Sequence, residues 1–299
     1  MAWLFVIILA YLFFSLSSFG DKLVLKGPSK AVSYAFWAGV LNILLVLAVP
    51  LIGFKIPTTI MFLWLSVDAI AFILGLYFGF LAVDEFEVSR TSATIGAMQP
   101  IFIFLISLAL FGYHDIGVYD FLAFLLLFCG SLLISFEKKP KLTFRFLKFT
   151  LISSLMYGLD YVLIKYIFAD TGFVTGFVWR GIFVGVVACA LLLTKNNRRE
   201  IFAKRNSTNK KLQKTFFATQ ACGGLANALQ SYGIFLAPVA LLPIANSLRG
   251  IQYVFLLGLT FFTSMFFPKI LKEKISRQIL FQKGIAVLII VAGLVILVF

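Results

Sequence analysis

Asp160-Tyr161-Val162-Leu163-Ile164-Lys165 repeats, 139 positions on, the pattern of Asp21-Lys22-Leu23-Val24-Leu25-Lys26. Working outward from that pair, Phe36-Trp37-Ala38-Gly39 matches Val178-Trp179-Arg180-Gly181 at an offset of 142. Gln99 falls on Gln252 at 153, and Cys129-Gly130-Ser131-Leu132-Leu133-Ile134-Ser135-Phe136 falls on the last eight residues, Ala292 to Phe299, at 163. The matches keep their order, and the offset rises as the loops of the second half lengthen. They divide the chain into residues 1–139 and 140–299.

The residues between these matches are those of a chain solvated by lipid. Of 299 residues, 62% are apolar and 13% charged, with mean hydropathy +1.04 and 36 Phe. Soluble domains run at about 45–50% apolar and 25% charged, so a soluble enzyme, a secreted disulfide scaffold and a disordered chain are excluded. Crossing a ~30 Å hydrocarbon core takes roughly 20 apolar residues. Ten stretches of that kind lie between charged or turn-forming clusters: Ala2–Leu25, Ala31–Phe54, Thr58–Val83, Val88–Phe111, Gly117–Phe136, Phe146–Ala169, Val174–Thr194, Thr215–Ala237, Val239–Phe266 and Ile279–Phe299. They are too long for membrane strands. The expectation is an all-α membrane protein of ten transmembrane helices. The first stretch lacks a basic n-region and belongs to the repeat, so it is read as a span and not as a signal peptide.

Five spans per half is an odd number, so the halves cross the bilayer in opposite senses. That is an inverted repeat, whose substrate site lies at the repeat interface near mid-membrane. Loop charge gives the orientation. Loops after spans 1, 3, 5, 7 and 9 hold 22 of the 26 basic residues, eight of them in the loop after span 7. By the positive-inside rule those loops are cytoplasmic and both termini face outward, in an integral membrane protein of, by expectation, the bacterial inner membrane. The net charge of +14 reflects this topology, with no module for reading nucleic acid.

Ionisable side chains within spans are costly and therefore informative. Asp68, Arg180 and Arg249 are the clear cases, whereas Asp21 and Asp160 read as nearer span ends, within snorkelling reach of the interface. Arg249, with Asn246 three residues before it, Gln252 three after it and Tyr253 beyond, forms a polar stripe on span 9. Span 8 carries Gln220, Asn227, Gln230 and Ser231, beside Gly223-Gly224. A guanidinium presents a planar fork of donors suited to carboxylate or phosphate, so the arginines point to an anionic group on the substrate. An Arg–Asp68 ion pair holding helices together is the competing reading. For Asp68 the functional alternatives are binding a substrate ammonium and carrying a coupling proton. Gln99, just before Pro100, and its repeat mate Gln252 read as paired cavity contacts. Trp37, Trp64 and Trp179 read as packing or interfacial anchors. His114 reads as a solvated loop residue. Cys129, Cys189 and Cys222 read as small buried hydrophobes. No HExxH, metal-ligand set, phosphate loop or Ser-His-Asp set is present, so neither an enzyme nor a cofactor is expected.

With these spans and halves, the chain resembles the drug/metabolite transporter superfamily, in its EamA-like branch. Leu271-Lys272-Glu273-Lys274-Ile275-Ser276, leading to Gly284 and Ala292-Gly293, is similar to the glutamate-then-glycines ending of that family's repeat, and Met98-Gln99-Pro100 carries its fourth-span proline. Phe111-Gly112-Tyr113-His114-Asp115 departs from the pattern, lacking the glutamate after glycine. Family members commonly place both termini in the cytoplasm; here the charge count gives the opposite. Ser18 stands where the small multidrug-resistance relatives keep an intramembrane glutamate, and its repeat mate is Tyr157, which weakens a reading as exporter of lipophilic cations. The resemblance and the buried charges together lead to an expectation: a secondary-active or facilitative transporter of a small anionic or zwitterionic metabolite, an amino acid or related carboxylate, working by alternating access. The alternative is a lipid-linked substrate flippase or drug exporter of the same superfamily. The expected partners are a small-molecule substrate and membrane lipids, without nucleic acid; monomer and homodimer both stay open.

Overall fold

The computed structural model describes residues 2–24, 31–44, 47, 55–85, 88–112, 117–135, 143–202, 210–266 and 277–298. Among them no strand occurs. The described residues of the ten expected stretches contain helices α1 (Ala2–Val24), α2 (Ala31–Leu41), α3 (Thr59–Glu85), α4 (Val88–Phe111), α5 (Val118–Ser135), α6 (Phe144–Thr171), α7 (Phe173–Ala190), α9 (Lys210–Leu236), α10 with α11 (Leu242–Ser247 and Arg249–Phe266) and α12 (Arg277–Val298). A short helix, α8 (Lys195–Ile201), lies in the basic loop after span 7. Six helical segments among the described residues are long and apolar enough to span a membrane: Ala2–Gly20, Thr59–Ala82, Thr94–Phe111, Phe144–Thr171, Phe173–Leu193 and Val239–Leu259. Helices satisfy their own backbone groups, as a hydrocarbon solvent demands. The protein is an all-α integral membrane protein.

The ninth stretch departs from the expected single helix. A 3-10 turn at Val239–Leu241 leads into α10, Leu248 interrupts the α-helix, and α11 begins at Arg249. Pro238 and Pro243 supply no N–H donor and suit a helix start better than its interior. Between α6 and α7 the connection is one residue. Gly172 has φ +75, donates its N–H to Phe168 O at 3.0 Å and accepts from Gly176 N at 3.1 Å. An L side chain rarely adopts that backbone conformation. At the other end of α6, Thr143 Oγ1 accepts the N–H of Phe146 at 3.2 Å and caps the helix.

The chain divides into two compact units: Met1–Gly27, Phe111–Lys141 and Thr208–Phe299 make one, Pro28–Leu110 and Leu142–Ser207 the other. Each takes helices from both sequence halves. In the first unit α1 packs along α9 and α11, and α5 packs along α12. α5 and α12 run antiparallel at very close approach. A Cβ on Gly130 would lie 2.6 Å from Ile290 Cγ1, and one on Gly293 would lie 3.0 Å from Leu127 Cγ. Small residues let spanning helices meet this closely where apolar burial gives no drive. In the second unit α3 packs along α6 and α7, and α2 along α3 and α7. α4 joins α6 through Ser154 Oγ, which donates to Ile95 O at 3.4 Å.

The side chains of Asp21 and Lys22, His114 and the Leu271–Ser276 motif lie outside the described residues. Cys129 and Cys189 are exposed on their helices, contrary to the reading of them as buried; Cys222 is half-buried, and all three are free thiols.

Candidate functional site

The expected site residues fall into two polar clusters, one in each unit. In the second unit, α7 presents Arg180 between two acids. Its Nε donates to Asp68 Oδ2 on α3 at 2.9 Å, and its Nη2 donates to Asp160 Oδ1 on α6 at 2.5 Å. Arg180 is 2% exposed, Asp68 0% and Asp160 7%. Phe72, one turn beyond Asp68, lies under the guanidinium with its ring centre 5.0 Å from Cζ, an arrangement that favours the cation. Asp68 Oδ1 is buried without a hydrogen-bond partner. Arg180 is thus the arginine that pairs with Asp68, as the competing reading anticipated.

Asp160 corrects the sequence reading. It lies near the middle of α6 and is buried against Arg180, where its carboxyl group does not extend outward as a snorkelling side chain would. Hydropathy registers that a charge is costly, but it does not see a partner 20 residues away across a one-residue turn. Gln99 sits nearby on α4, 4% exposed, and its Nε2 donates to Tyr157 O at 3.4 Å. Trp179 Nε1 donates to Lys55 O at 3.0 Å and packs edge-on against Phe62 at 5.1 Å, consistent with an anchoring role. Trp64 packs against Tyr166 at 5.3 Å.

In the first unit the cluster centres on Tyr11, a residue to which the sequence reading gave no role. Its only sequence signal is a phenol hydroxyl in the middle of an apolar span. Tyr11 is fully buried, and its hydroxyl lies 3.3 Å from both Ala245 O and Asn246 O, where it donates, and accepts from Gln230 Nε2 at 3.4 Å. Arg249 and Tyr253 are close enough to interact electrostatically with it. About two helical turns further along α1, Ser18 Oγ accepts from Gln252 Nε2 at 3.1 Å.

Two members of this cluster carry unmet hydrogen-bonding capacity. Asn246 is 1% exposed, and neither its Oδ1 nor its Nδ2 has a partner; Gln252 Oε1 is buried and equally unmatched. Arg249 is half-buried and opens α11, so it does not lie deep within an uninterrupted span as the sequence reading had it. Asn246 belongs to α10, on the other side of Leu248. The stripe therefore runs across a helix interruption, not along one helix. Tyr253, Asn227, Gln230 and Gln220 are half-buried, and Ser231 is buried. Of the two glycines on α9, Gly223 meets Ser17 Oγ, 3.0 Å from where its Cβ would be, and Gly224 faces open space.

Chemically, the cluster in the first unit offers a cation, three carboxamides and two phenols, with buried atoms of Asn246 and Gln252 that lack partners. Asp68, Arg180 and Gln99 belong to the second unit, and the other six expected site residues to the first. No protein-family model matches the chain, and no curated protein matches it. A solved crystal structure, described in no further terms than as that of a protein, is similar over 99% of this chain and 96% of its own, with TM-score 0.70 at 13% identity. At that identity the likeness shows a shared fold.

Proposed function

We propose that the protein is a secondary-active or facilitative transporter of a small anionic or zwitterionic metabolite, an amino acid or related carboxylate, built as two inverted five-helix repeats in the manner of the EamA-like transporters. The observation that carries the substrate class is the cluster at Arg249. A half-buried guanidinium stands beside Asn246 and Gln252, whose buried carboxamide atoms lack partners. An unmatched buried polar atom costs about 1–3 kcal/mol, and a bound carboxylate with a neighbouring amine or hydroxyl supplies both the acceptors and the donors needed.

Internal symmetry supports the architecture. Gln252 donates to Ser18 and Gln99 donates to the backbone of Tyr157. The offsets read from the sequence carry Gln99 onto Gln252 and Ser18 onto Tyr157, so the two hydrogen bonds are repeat mates. Likewise the offset of 163 exchanges Gly130 with Gly293 and Leu127 with Ile290, the four residues of the reciprocal α5–α12 contact. A two-fold relation between those antiparallel helices is what oppositely inserted repeats require. The basic loops after the odd spans are read as cytoplasmic, with both termini outside.

The test is a thermal-shift screen of purified protein against amino acids, organic acids, phosphates, nucleotides and lipophilic cations. A ligand at 100 times its Kd adds about 2.7 kcal/mol. Stabilisation by an anion or zwitterion, absent in Arg249→Gln, is the expected result. Stabilisation by cations alone, or unchanged binding in Arg249→Gln, overturns the assignment.

A further inference from the structure

The Arg180 cluster is out of charge balance. Two carboxyl groups meet one guanidinium, all three more than nine-tenths buried, so with both acids ionised the group would hold a net negative charge away from water. Buried charges are tolerated when paired and hydrogen-bonded, and here one oxygen, Asp68 Oδ1, has no hydrogen-bond partner.

Among the described residues, no second cation is recorded acting on Asp68. Asp160 comes from α6 and Arg180 from α7, and these are the charged groups that act on Asp68. α2, which also packs on α3, has no acidic or basic residue in Ala31–Leu41. α4 brings the uncharged Gln99 to Tyr157. Lys165, on α6, is about 140° around the helix from Asp160. Two phenols also lie close by: Tyr157, whose ring packs against Phe72 at 6.4 Å, and Tyr161, beside Asp160 in the chain.

We infer that Asp68 and Asp160 share a single exchangeable proton, and that this proton is the ion moved by the transport cycle. Both carboxyl groups are held at one guanidinium, Asp68 Oδ2 2.9 Å from its Nε and Asp160 Oδ1 2.5 Å from its Nη2. Two carboxylates sharing one buried site disfavour each other's ionised form, so the site favours a proton on one of them. With it, the charges of Asp68, Asp160 and Arg180 sum to zero. Such burial also selects the ligand: a proton needs no cavity, whereas a substrate ammonium does. The step is the conversion of one carboxylate and one proton into a carboxylic acid, reversed when the site faces the other side, while Arg180 keeps its charge throughout. The coupling half of this inference rests on the transporter reading; the presence of the proton does not.

The experiment is infrared absorption of the full chain in lipid nanodiscs at neutral pH, with 13C-labelled aspartate carboxyls. Exposed aspartates are ionised there. The expected result is a carboxylic-acid band that moves with the label and in deuterium oxide, and that is lost in both Asp68→Asn and Asp160→Asn. The labelled wild type alone is decisive if either variant fails to fold: no carboxylic-acid band overturns the proposal. Coupling is read in vesicles from counterflow of a radiolabelled amino-acid mixture. Counterflow that follows an imposed pH gradient in wild type, and ignores it in Asp68→Asn, supports coupling. Counterflow indifferent to the gradient in wild type overturns coupling. No counterflow with the band present overturns the transporter reading and the coupling, and leaves the proton site standing.

Discussion

Asp68 and Arg180, on α3 and α7, meet at 2.9 Å with side chains 0% and 3% exposed. Few contacts in a lipid-solvated chain are so dependent on both partners. Replacing Arg180 with Met leaves Asp68 and Asp160 buried without their cation. The expected loss is about 3–5 kcal/mol of stability, the usual cost of breaking a buried ion pair from one side. Arg180→Lys recovers part of it, because one ammonium does not reproduce a planar fork serving two carboxyl groups. Thermal unfolding in detergent measures both.

Asn246→Leu separates stability from function. It removes two buried atoms that have no hydrogen-bond partner and keeps a similar volume. Unfolding experiments should find the variant more stable by about 1–3 kcal/mol, and the ligand screen should find its stabilisation by substrate abolished. A variant that is destabilised would mean that Asn246 already has its partners within the protein.

Tyr11→Phe removes the hydroxyl that accepts from Gln230 and donates toward Ala245 and Asn246. It leaves the Gln230 amide short of an acceptor, at a cost of about 1–3 kcal/mol. Because Tyr11 touches the broken segment and not Gln252, binding should weaken less than in Arg249→Gln. A titration of both variants against the same ligand tests the order.

Glycines facing a helix and glycines facing open space should respond oppositely. Gly130→Val drives a branched side chain into Ile290 and the Ala286 carbonyl, with an expected loss of about 1–3 kcal/mol from overpacking. Gly224→Ala meets nothing within 4 Å and should be neutral or stabilising by about 0.5–1 kcal/mol through helix propensity. Paired melting curves decide.

Orientation has its own check. Arg198 is exposed on α8, in the loop read as cytoplasmic. An Arg198→Cys variant should react with a membrane-impermeant thiol reagent in inverted vesicles and stay unlabelled in intact cells. Labelling of intact cells reverses the topology.

The helices were legible because apolar length is a direct physical demand of the bilayer: Val88–Phe111 was read to the residue, and most other boundaries to within a few. The interruption at Leu248 was not, since hydropathy measures how much apolar chain is present and not whether it is one regular helix. Of the candidate site, the residue types around Arg249 were legible from their rarity in apolar surroundings. Tyr11 escaped because tyrosine is common in membrane proteins and gains meaning here only from the carbonyls of Ala245 and Asn246 beside it. Asp160 was misplaced for a related reason. A sequence shows where charges are, while their cost depends on partners that only folding brings near.

The single-residue connection at Gly172 ties Asp160 and Arg180 to one hairpin. Their mutual contact therefore travels with that hairpin, whereas the contact from Arg180 to Asp68 crosses to a helix with no such tether. A slide of α3 past the hairpin would divide the cluster unevenly, taking Asp68 from the guanidinium and leaving Asp160 in place. Were α3 to slide in that way, the turn would decide which carboxyl group keeps the guanidinium.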